Sequence, residues 1–160
     1  MKAQQNYTRT VTETRWLNAD EQRTWRAYLN SHRLLLDAID AQLRRDSGMP
    51  HAYYEILVCL SDAENRTLRM AELAEATRVS ASRLSHAIAR LEERGWVCRQ
   101  ECPTDRRGQL AVLTDEGFAT LAAAAPGHVE AVRTALFDSL DADQIRDLGE
   151  ISEILARHLA

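Results

Sequence analysis

Residues 70–117 contain the clearest structural pattern of the chain and read MAELAEATRVSASRLSHAIARLEERGWVCRQECPTDRRGQLAVLTDEG. The first half of this stretch predicts two helices, about residues 70–77 and 81–94, separated by only three residues. Ser80 is a natural N-cap for the second helix, and Gly95 is a natural C-cap. This spacing predicts a helix-turn-helix.

The second half of the stretch predicts a β-hairpin. Strand-like runs cover residues 96–101 and 109–113, and the loop between them contains Pro103 and Gly108, which favour a turn. A strand pair this small must lean on the helices to be stable. Residues 48–114 are therefore predicted to form a winged helix-turn-helix.

Helical patterns flank this module on both sides. Before it, Asn18 or Asp20 can cap a helix that runs to about residue 45, and a second helix over residues 51–63 is apolar almost all round and so should be central. After it, a helix over residues 114–138 should kink or split at Pro126. Asp141 caps a last helix. The expected fold is mainly α with a small β-hairpin wing, a winged helix-turn-helix flanked by dimerisation helices.

The composition is that of one globular domain. With 160 residues, 45% of them hydrophobic and 28% charged, the chain needs neither disulfide nor metal to fold. Its apolar runs are far shorter than the ~20 residues that span a bilayer, and its first 15 residues lack the apolar core of a secretory signal. Three cysteines are too few for a disulfide framework. We therefore expect a soluble cytoplasmic protein with no membrane partner.

The net charge of −4 conceals a basic segment. Residues 78–108 carry seven arginines and four acidic side chains, hence +3, whereas residues 109–160 carry three basic and nine acidic side chains, hence −6. An electropositive segment in an acidic chain indicates an anionic partner, although an ordinary solvated helix face gives the same count.

The second helix of the motif carries the residues that we expect to contact DNA. At about 100° per residue, Leu84, Ile88 and Leu91 share one face and point to the core. The opposite face is polar, with no acidic residue before Glu92 that phosphates would repel. The predicted contacts are Ser82, Arg83 and His86 to base edges, with Ser85 beside them, and Ser80 and Arg90 to phosphates. The alternative is an ordinary amphipathic surface helix.

The loop Asp105-Arg106-Arg107-Gly108 is the second candidate contact. Two adjacent arginines at a hairpin tip can enter a minor groove or hold phosphates, and Asp105 can pair with a neighbouring arginine and fix its direction. The alternative is a solvated turn. The position of this loop directly after a helix-turn-helix favours the interpretation as a DNA contact.

These residues resemble the MarR family of bacterial transcription regulators. The matching features are the core L-A-x-x-x-x-V-S-x-S-x-L-x-x-x-I-x-R-L-E-x-R-G-W-V, the D-R-R wing tip and the L-T-x-x-G at the next helix. The resemblance covers about residues 17–159. It implies a homodimer with the first and the last two helices at the interface, residues 81–94 in the major groove, and Arg107 in the minor groove.

Two apolar stripes near the chain ends support the dimer independently. They consist of Trp25, Leu29, Leu36, Ile39 and Leu43 in the first helix, and Ile145, Leu148, Ile151, Leu155 and Leu159 in the last. A small central module cannot cover both stripes, so they can pack on each other and on a second copy. Within one domain, residues 17–160, we expect residues 17–46 and 117–160 to form the dimerisation helices. Residues 1–16 form an N-terminal arm whose order the sequence leaves open.

The resemblance also implies a small aromatic or phenolic effector, bound between the dimerisation helices and the winged helix. Aromatic walls and hydrogen-bonding groups for this pocket can come from Trp25, His32, His51, Tyr53 and Tyr54. Each of these side chains can equally be an ordinary core or surface residue.

Thiol-based redox control is a further alternative. Cys59 is expected to be buried and inert, whereas Cys98 and Cys102 lie in the wing at an even offset and can share a face. No histidine lies near this cysteine pair and no cluster of His and Glu has ligand spacing, so we expect no metal site and no cofactor. Neither a nucleophile elbow nor a phosphate-binding glycine loop is present, so we expect no enzyme activity.

The sequence therefore predicts a ligand-responsive transcription repressor that binds a near-palindromic duplex DNA operator as a homodimer. The alternative from a different class is a winged-helix module that binds a protein through its hairpin or its recognition helix. Salt distinguishes them, because DNA binding through several arginines weakens steeply as salt rises.

Overall fold

The computed structural model describes residues 14–102 and 105–159, with the side chains of Arg106 and Arg107 outside the description. The chain divides into two compact units, Met1–Leu34 and Leu35–Ala160. The helices are α1 (Ala19–Ser47), α2 (His51–Asp62), α3 (Met70–Ala76), α4 (Ala81–Glu93), α5 (Asp115–Ala135) and α6 (Ala142–Leu159), and the strands are β1 (Thr67–Arg69), β2 (Val97–Cys102) and β3 (Asp105–Leu113). Within the described ranges, no helix is both long and apolar enough to cross a lipid bilayer.

The first unit contains the start of α1. The Asn18 side chain accepts a hydrogen bond from the backbone N–H of Glu21 at 2.9 Å, and the Glu21 carboxylate accepts one from the backbone N–H of Asn18 at 2.7 Å. This reciprocal pair is a capping box, so Asn18 rather than Asp20 is the N-cap. Along the helix, the rings of Trp25, Tyr28 and His32 stack in succession at 6.3 and 6.1 Å.

The core of the second unit is built around α2, as its apolar pattern predicts. Ile56, Leu57 and Leu60 of this helix are buried. Ile39 and Leu43, from the end of α1, belong to the same core. The predicted stripe on the first helix is therefore not free along its whole length, because its last two members are covered within the unit.

The helix-turn-helix has the predicted bounds within two residues. The Ser80 hydroxyl accepts from the backbone N–H of Arg83 at 3.4 Å at the start of α4. After α4, Gly95 takes a left-handed conformation with φ of +73°, which glycine adopts at little cost. Leu84, Ile88 and Leu91 are buried as predicted. The N-cap and the core face of α4 are confirmed, whereas the C-cap is Arg94 and Gly95 is the left-handed residue directly after it.

The wing is a three-stranded antiparallel sheet in the order β1-β3-β2, one strand more than the predicted hairpin. In the added strand, Thr67 lies opposite Val112. Three residues are too few to show a period of two, so β1 had no detectable pattern in the sequence.

The predicted loop over residues 102–108 is wrong for its second half, because β3 begins at Asp105 rather than at Gln109. Cys102 lies opposite Asp105, after a register shift between Glu101 and Cys102. The β-bulge keeps the two strands paired almost to the tip. A Cβ on Gly108 would lie 3.2 Å from the Cβ of Cys102, so glycine here permits a close approach rather than marking a loop.

The helix α5 runs through Pro126 as one continuous element, so the predicted split does not occur. Proline removes one intrahelical hydrogen bond at a cost of about 3 kcal/mol. Leu121 and Ala124, in the turn before it, are buried, and this packing holds the helix together. The Asp141 carboxylate accepts from the backbone N–H of Gln144 at 2.9 Å and caps α6 as predicted.

Candidate nucleic-acid interface

The outward face of α4 presents polar and cationic groups to solvent. Leu84, Ile88 and Leu91 hold the opposite face in the core. The exposed side chains are those predicted to contact DNA, namely Ser80, Ser82, Arg83, Ser85, His86 and Arg90. Acidic residues are absent from the first turn of α4. The start of the helix therefore offers hydrogen-bond donors, acceptors and one guanidinium with no carboxylate among them.

The two arginines on α4 differ in their surroundings. Arg90 Nη1 lies 2.7 Å from the carboxylate of Glu93, and this hydrogen bond raises the pKa of Arg90 further above its ordinary value. Arg83 has no ion-pair partner among the described residues. A phosphate could therefore bind Arg83 without displacing a carboxylate, whereas at Arg90 it would compete with Glu93.

At the wing, Asp105 pairs with an arginine that the sequence argument did not consider. Its carboxylate lies 3.7 Å from Nη1 of Arg69, at the end of β1. The side chains of Arg106 and Arg107 lie outside the described residues, so their contact with a minor groove stays a prediction. The turn of the helix-turn-helix also exposes Arg78, in a left-handed conformation with φ of +53°, which the charge count included but the site prediction left out.

A cleft of about 550 Å³ lies in the second unit between α2, α5 and the end of α3. The His128 ring lies 4.3 Å from that of Tyr54 and 5.9 Å from that of His51. The residues that line the cleft are His51, Tyr54, Glu55, Val58, Cys59, Ala76, Thr77, Arg78 and His128. Burial raises the pKa of Tyr54, and burial followed by the charge of His51 lowers the pKa of His128. The cleft is thus lined by aromatic rings on one side and by the helix-turn-helix on the other.

The predicted pocket residues are not all at this cleft. His51 and Tyr54 line it, whereas Tyr53 packs partly buried against the core. Trp25 and His32 belong to the first unit, in the stacked row with Tyr28. His128 is the cleft residue that the sequence argument missed, because nothing in its helical surroundings marks a histidine as facing another helix.

The three cysteines differ in how deeply they are buried. Cys102 is buried, Cys98 is half-buried, and the register shift before Cys102 interrupts the alternation that would put both on one face. Cys59 is half-buried rather than fully buried, and burial together with the nearby carboxylates raises its pKa. Over the described ranges, no group of three or more His, Cys, Asp or Glu side chains is placed to hold a metal ion.

Two helices joined by a tight turn, an exposed polar second helix and an adjoining antiparallel sheet define a winged helix-turn-helix protein. A sequence model of the MarR family matches residues 47–108. The fold is also similar to the crystal structure of Sco3205, a MarR family transcriptional regulator from Streptomyces coelicolor, in complex with DNA. The two chains are 54% identical with a TM-score of 0.87, over 91% of this chain and 94% of Sco3205.

A second structure from Streptomyces coelicolor, the MarR family transcriptional regulator AbsC, is 42% identical with a TM-score of 0.86, over 91% of this chain and 98% of AbsC. This chain belongs to the MarR family. The HTH-type transcriptional regulator PecS of Dickeya dadantii is 37% identical over 65 residues, which are 41% of this chain and 39% of PecS. The match thus spans about two-fifths of that curated relative. All three relatives are transcription regulators rather than enzymes.

Proposed function

We propose that this chain is a cytoplasmic transcription repressor that binds a duplex DNA operator, with α4 in the major groove and the wing at the minor groove. The observation that carries the proposal is the exposed start of α4, where Ser82, Arg83 and His86 stand together with no acidic residue in the first turn. Hydroxyl, guanidinium and imidazole groups are suited to base edges. The crystal structure of a 54% identical relative with DNA supports the same reading.

The operator is bound by a homodimer. The last helix, α6, is exposed along its length and carries an apolar row that contains Ile145, Leu148, Ile151, Ile154, Leu155 and Leu159. An apolar row of this length needs cover, which a second copy supplies through residues 17–46 and 117–160. Two symmetric recognition helices require half-sites about one helical turn, ~34 Å, apart. Sedimentation equilibrium tests the dimer, and a monomer at micromolar concentration would overturn it.

The test of DNA binding is a fluorescence-anisotropy titration against the DNA that flanks the gene, at about 50 and 200 mM salt. Arg83→Ala and Arg107→Ala should each weaken binding by roughly 1–3 kcal/mol, about 5- to 150-fold. Arg133→Ala is the charge control, because it removes one exposed arginine of α5 that pairs with Asp138. Sedimentation equilibrium shows whether this variant keeps the dimer.

The outcome separates DNA binding from protein binding. Tight binding that falls steeply with salt and weakens in the α4 and wing variants supports a DNA-binding regulator. Binding no tighter than to random DNA, with no effect of Arg83→Ala on any genomic fragment, would leave the winged helix as a protein-binding module.

The repressor responds to a small aromatic or phenolic effector in the cleft between α2, α5 and α3. Tyr54, His51 and His128 supply aromatic walls, and Thr77 and Arg78 place the same cleft against the turn before α4. A ligand there that prefers one position of α4 shifts the population of DNA-competent molecules.

The probe for the cleft is 4-hydroxybenzoate, a phenolic acid, added to the protein–operator complex. If the probe releases DNA from the wild-type protein but not from His128→Phe, the result supports this cleft as the effector site. The matched variant His32→Ala removes a predicted pocket residue that does not line this cleft, so it should respond as wild type does. A response lost in His32→Ala but kept in His128→Phe would place the effector elsewhere.

A further inference from the structure

Arg99 of β2 makes two side-chain contacts with α4, the recognition helix. Its Nη1 lies 3.2 Å from the carboxylate of Glu92, and its Nη2 donates to the backbone carbonyl oxygen of Ser85 at 2.8 Å. The backbone N–H of Arg99 also donates to the Glu92 carboxylate, at 2.9 Å. One residue of the wing therefore holds two separate turns of the helix.

The geometry of a helix explains how one guanidinium reaches both places. Side chains tilt toward the helix N-terminus, so the Glu92 carboxylate reaches back along α4, while the Ser85 carbonyl points forward toward it. A carbonyl oxygen has two lone pairs and can accept from Arg99 in addition to its intrahelical donor. The planar fork of arginine supplies two donors in fixed directions, which the single ammonium of lysine does not.

The contacts between Arg99 and Glu92 are partly shielded from water. The side chains of Arg99 and Glu92 are only 26% and 30% exposed. The Arg99 Nε is buried and has no hydrogen-bond partner among the described residues. Solvent screening is weaker here than for the fully exposed pairs of the surface, so the two Nη contacts define where the guanidinium lies.

The positions of Arg106 and Arg107 relative to α4 depend on β2, the strand that contains Arg99. β2 pairs with β3 from Val97 opposite Leu113 to Cys102 opposite Asp105. β3 includes the positions of Arg106 and Arg107. Whatever fixes β2 against α4 therefore fixes the strand that presents the predicted minor-groove contact relative to the helix that presents the predicted major-groove contacts.

We propose that Arg99 is a positioning residue that sets the wing relative to the recognition helix, so that their contacts on DNA reinforce each other. It acts through Glu92 and Ser85 and not by touching DNA. The inference rests on the proposed DNA-binding function. The contributions of the wing and the recognition helix to the free energy of DNA binding are coupled, and this coupling disappears without the Arg99 fork.

The test is a double-mutant cycle on operator affinity. We expect Arg99→Lys to weaken binding by roughly tenfold, the size of one lost charge-assisted hydrogen bond, although it keeps the positive charge. Arg107→Ala should cost at least about threefold less in the Arg99→Lys background than in wild type, because a displaced wing has less contact to lose. Equal costs in the two backgrounds would overturn the proposal, since a direct phosphate contact by Arg99 gives additive losses.

A second pair of variants tests the same point without changing an arginine. Glu92→Gln and Glu93→Gln each remove one negative charge from adjacent positions of α4, but Glu93 holds Arg90 rather than Arg99. We expect Glu92→Gln to weaken operator binding and Glu93→Gln to strengthen it. If both strengthen binding, charge alone decides and Arg99 has no positioning role.

Circular dichroism and thermal unfolding identify variants that fail to fold, and Glu92→Gln, the mildest change, then carries the test. The proposed function and the positioning role fail differently. If wild type does not bind any operator, the proposed function fails. If wild type binds and Arg107→Ala weakens binding equally in both backgrounds, only the role of Arg99 is wrong.

Discussion

The carboxylate of Asp105, at the start of β3, lies 3.7 Å from the guanidinium of Arg69, at the end of β1. Arg69 is also the residue before α3, and its backbone N–H donates to Glu72 at 3.1 Å. The pair thus joins the wing, near its tip, to the beginning of the helix-turn-helix.

We predict that Asp105→Asn weakens operator binding, although it removes a negative charge from the surface that we propose to face DNA. Both side chains are more than 40% exposed, so the effect should be about two- to fivefold, the range of an exposed ion pair. Glu101→Gln removes the same charge from the neighbouring strand and should leave binding equal or tighter. Anisotropy titrations at one salt concentration compare them, and tighter binding by Asp105→Asn would contradict the prediction.

Gly117→Ala should destabilise the fold even though alanine is the better helix former. A Cβ at this position would lie 2.1 Å from the backbone carbonyl oxygen of Trp96, a contact that requires the backbone to move. We expect the free energy of unfolding to fall by about 2–3 kcal/mol or more in urea denaturation. Ala119→Gly, an exposed position on the same helix, should lose only about 1 kcal/mol. A Gly117→Ala protein as stable as wild type would show that the helix packs differently.

Two substitutions of Ser80 separate its role as helix cap from its predicted contact with phosphate. Ser80→Ala removes the acceptor for the Arg83 N–H and should lower the free energy of unfolding by about 1 kcal/mol. Ser80→Asp keeps an acceptor and suits the positive end of the helix dipole, so stability should be retained. Its carboxylate would face DNA phosphates, and operator affinity should fall by about tenfold or more. Unchanged affinity in Ser80→Asp would place the start of α4 away from the DNA backbone.

We predict that His128 makes the free energy of unfolding depend on pH. Burial and the charge of His51 lower its pKa below the ordinary 6.5, and its Nδ1 has no hydrogen-bond partner among the described residues. The folded protein therefore holds His128 neutral more firmly than the unfolded chain does. Neutral His128 therefore stabilises the fold fully at a pH above its pKa in the unfolded chain. This stabilisation is lost as the pH falls from that value through the lower pKa of His128 in the folded protein.

The measurement for His128 is urea denaturation between about pH 7.5 and pH 5. The free energy of unfolding should fall on acidification in wild type, and the fall should be smaller in His128→Phe, which keeps a ring against Tyr54. His32→Ala, which removes an exposed histidine, should keep the wild-type dependence. The same dependence in His128→Phe would assign the effect to another group.

The helices were predictable because their signals are local. Asn18, Ser80 and Asp141 each cap the helix that directly follows, with bonding partners three residues away. The spacing of Leu84, Ile88 and Leu91 alone separates the buried face of α4 from its exposed face. Once that face is known, the candidate DNA contacts follow from residue chemistry.

The errors arose where a local signal competes with packing. Pro126 and Gly108 are ordinary markers of a helix break and a turn, yet one lies inside α5 and the other inside β3. In both places, contacts with another element outweigh the local preference. Leu121 and Ala124 are buried beside the proline, and the strand ladder with β2 continues to Asp105.

Local sequence is sufficient to predict the helix-turn-helix, its N-cap, the polar face of α4 and the basic segment, because each depends on residues within a few positions of one another. Packing of distant segments, by contrast, produces the third strand, the partner of Asp105, the cleft around His128 and the contacts of Arg99 with α4. These join residues far apart in the chain, as Ser85 and Arg99 are by 14 positions. Such pairs carry no periodic signal, since the fold rather than the spacing brings them together.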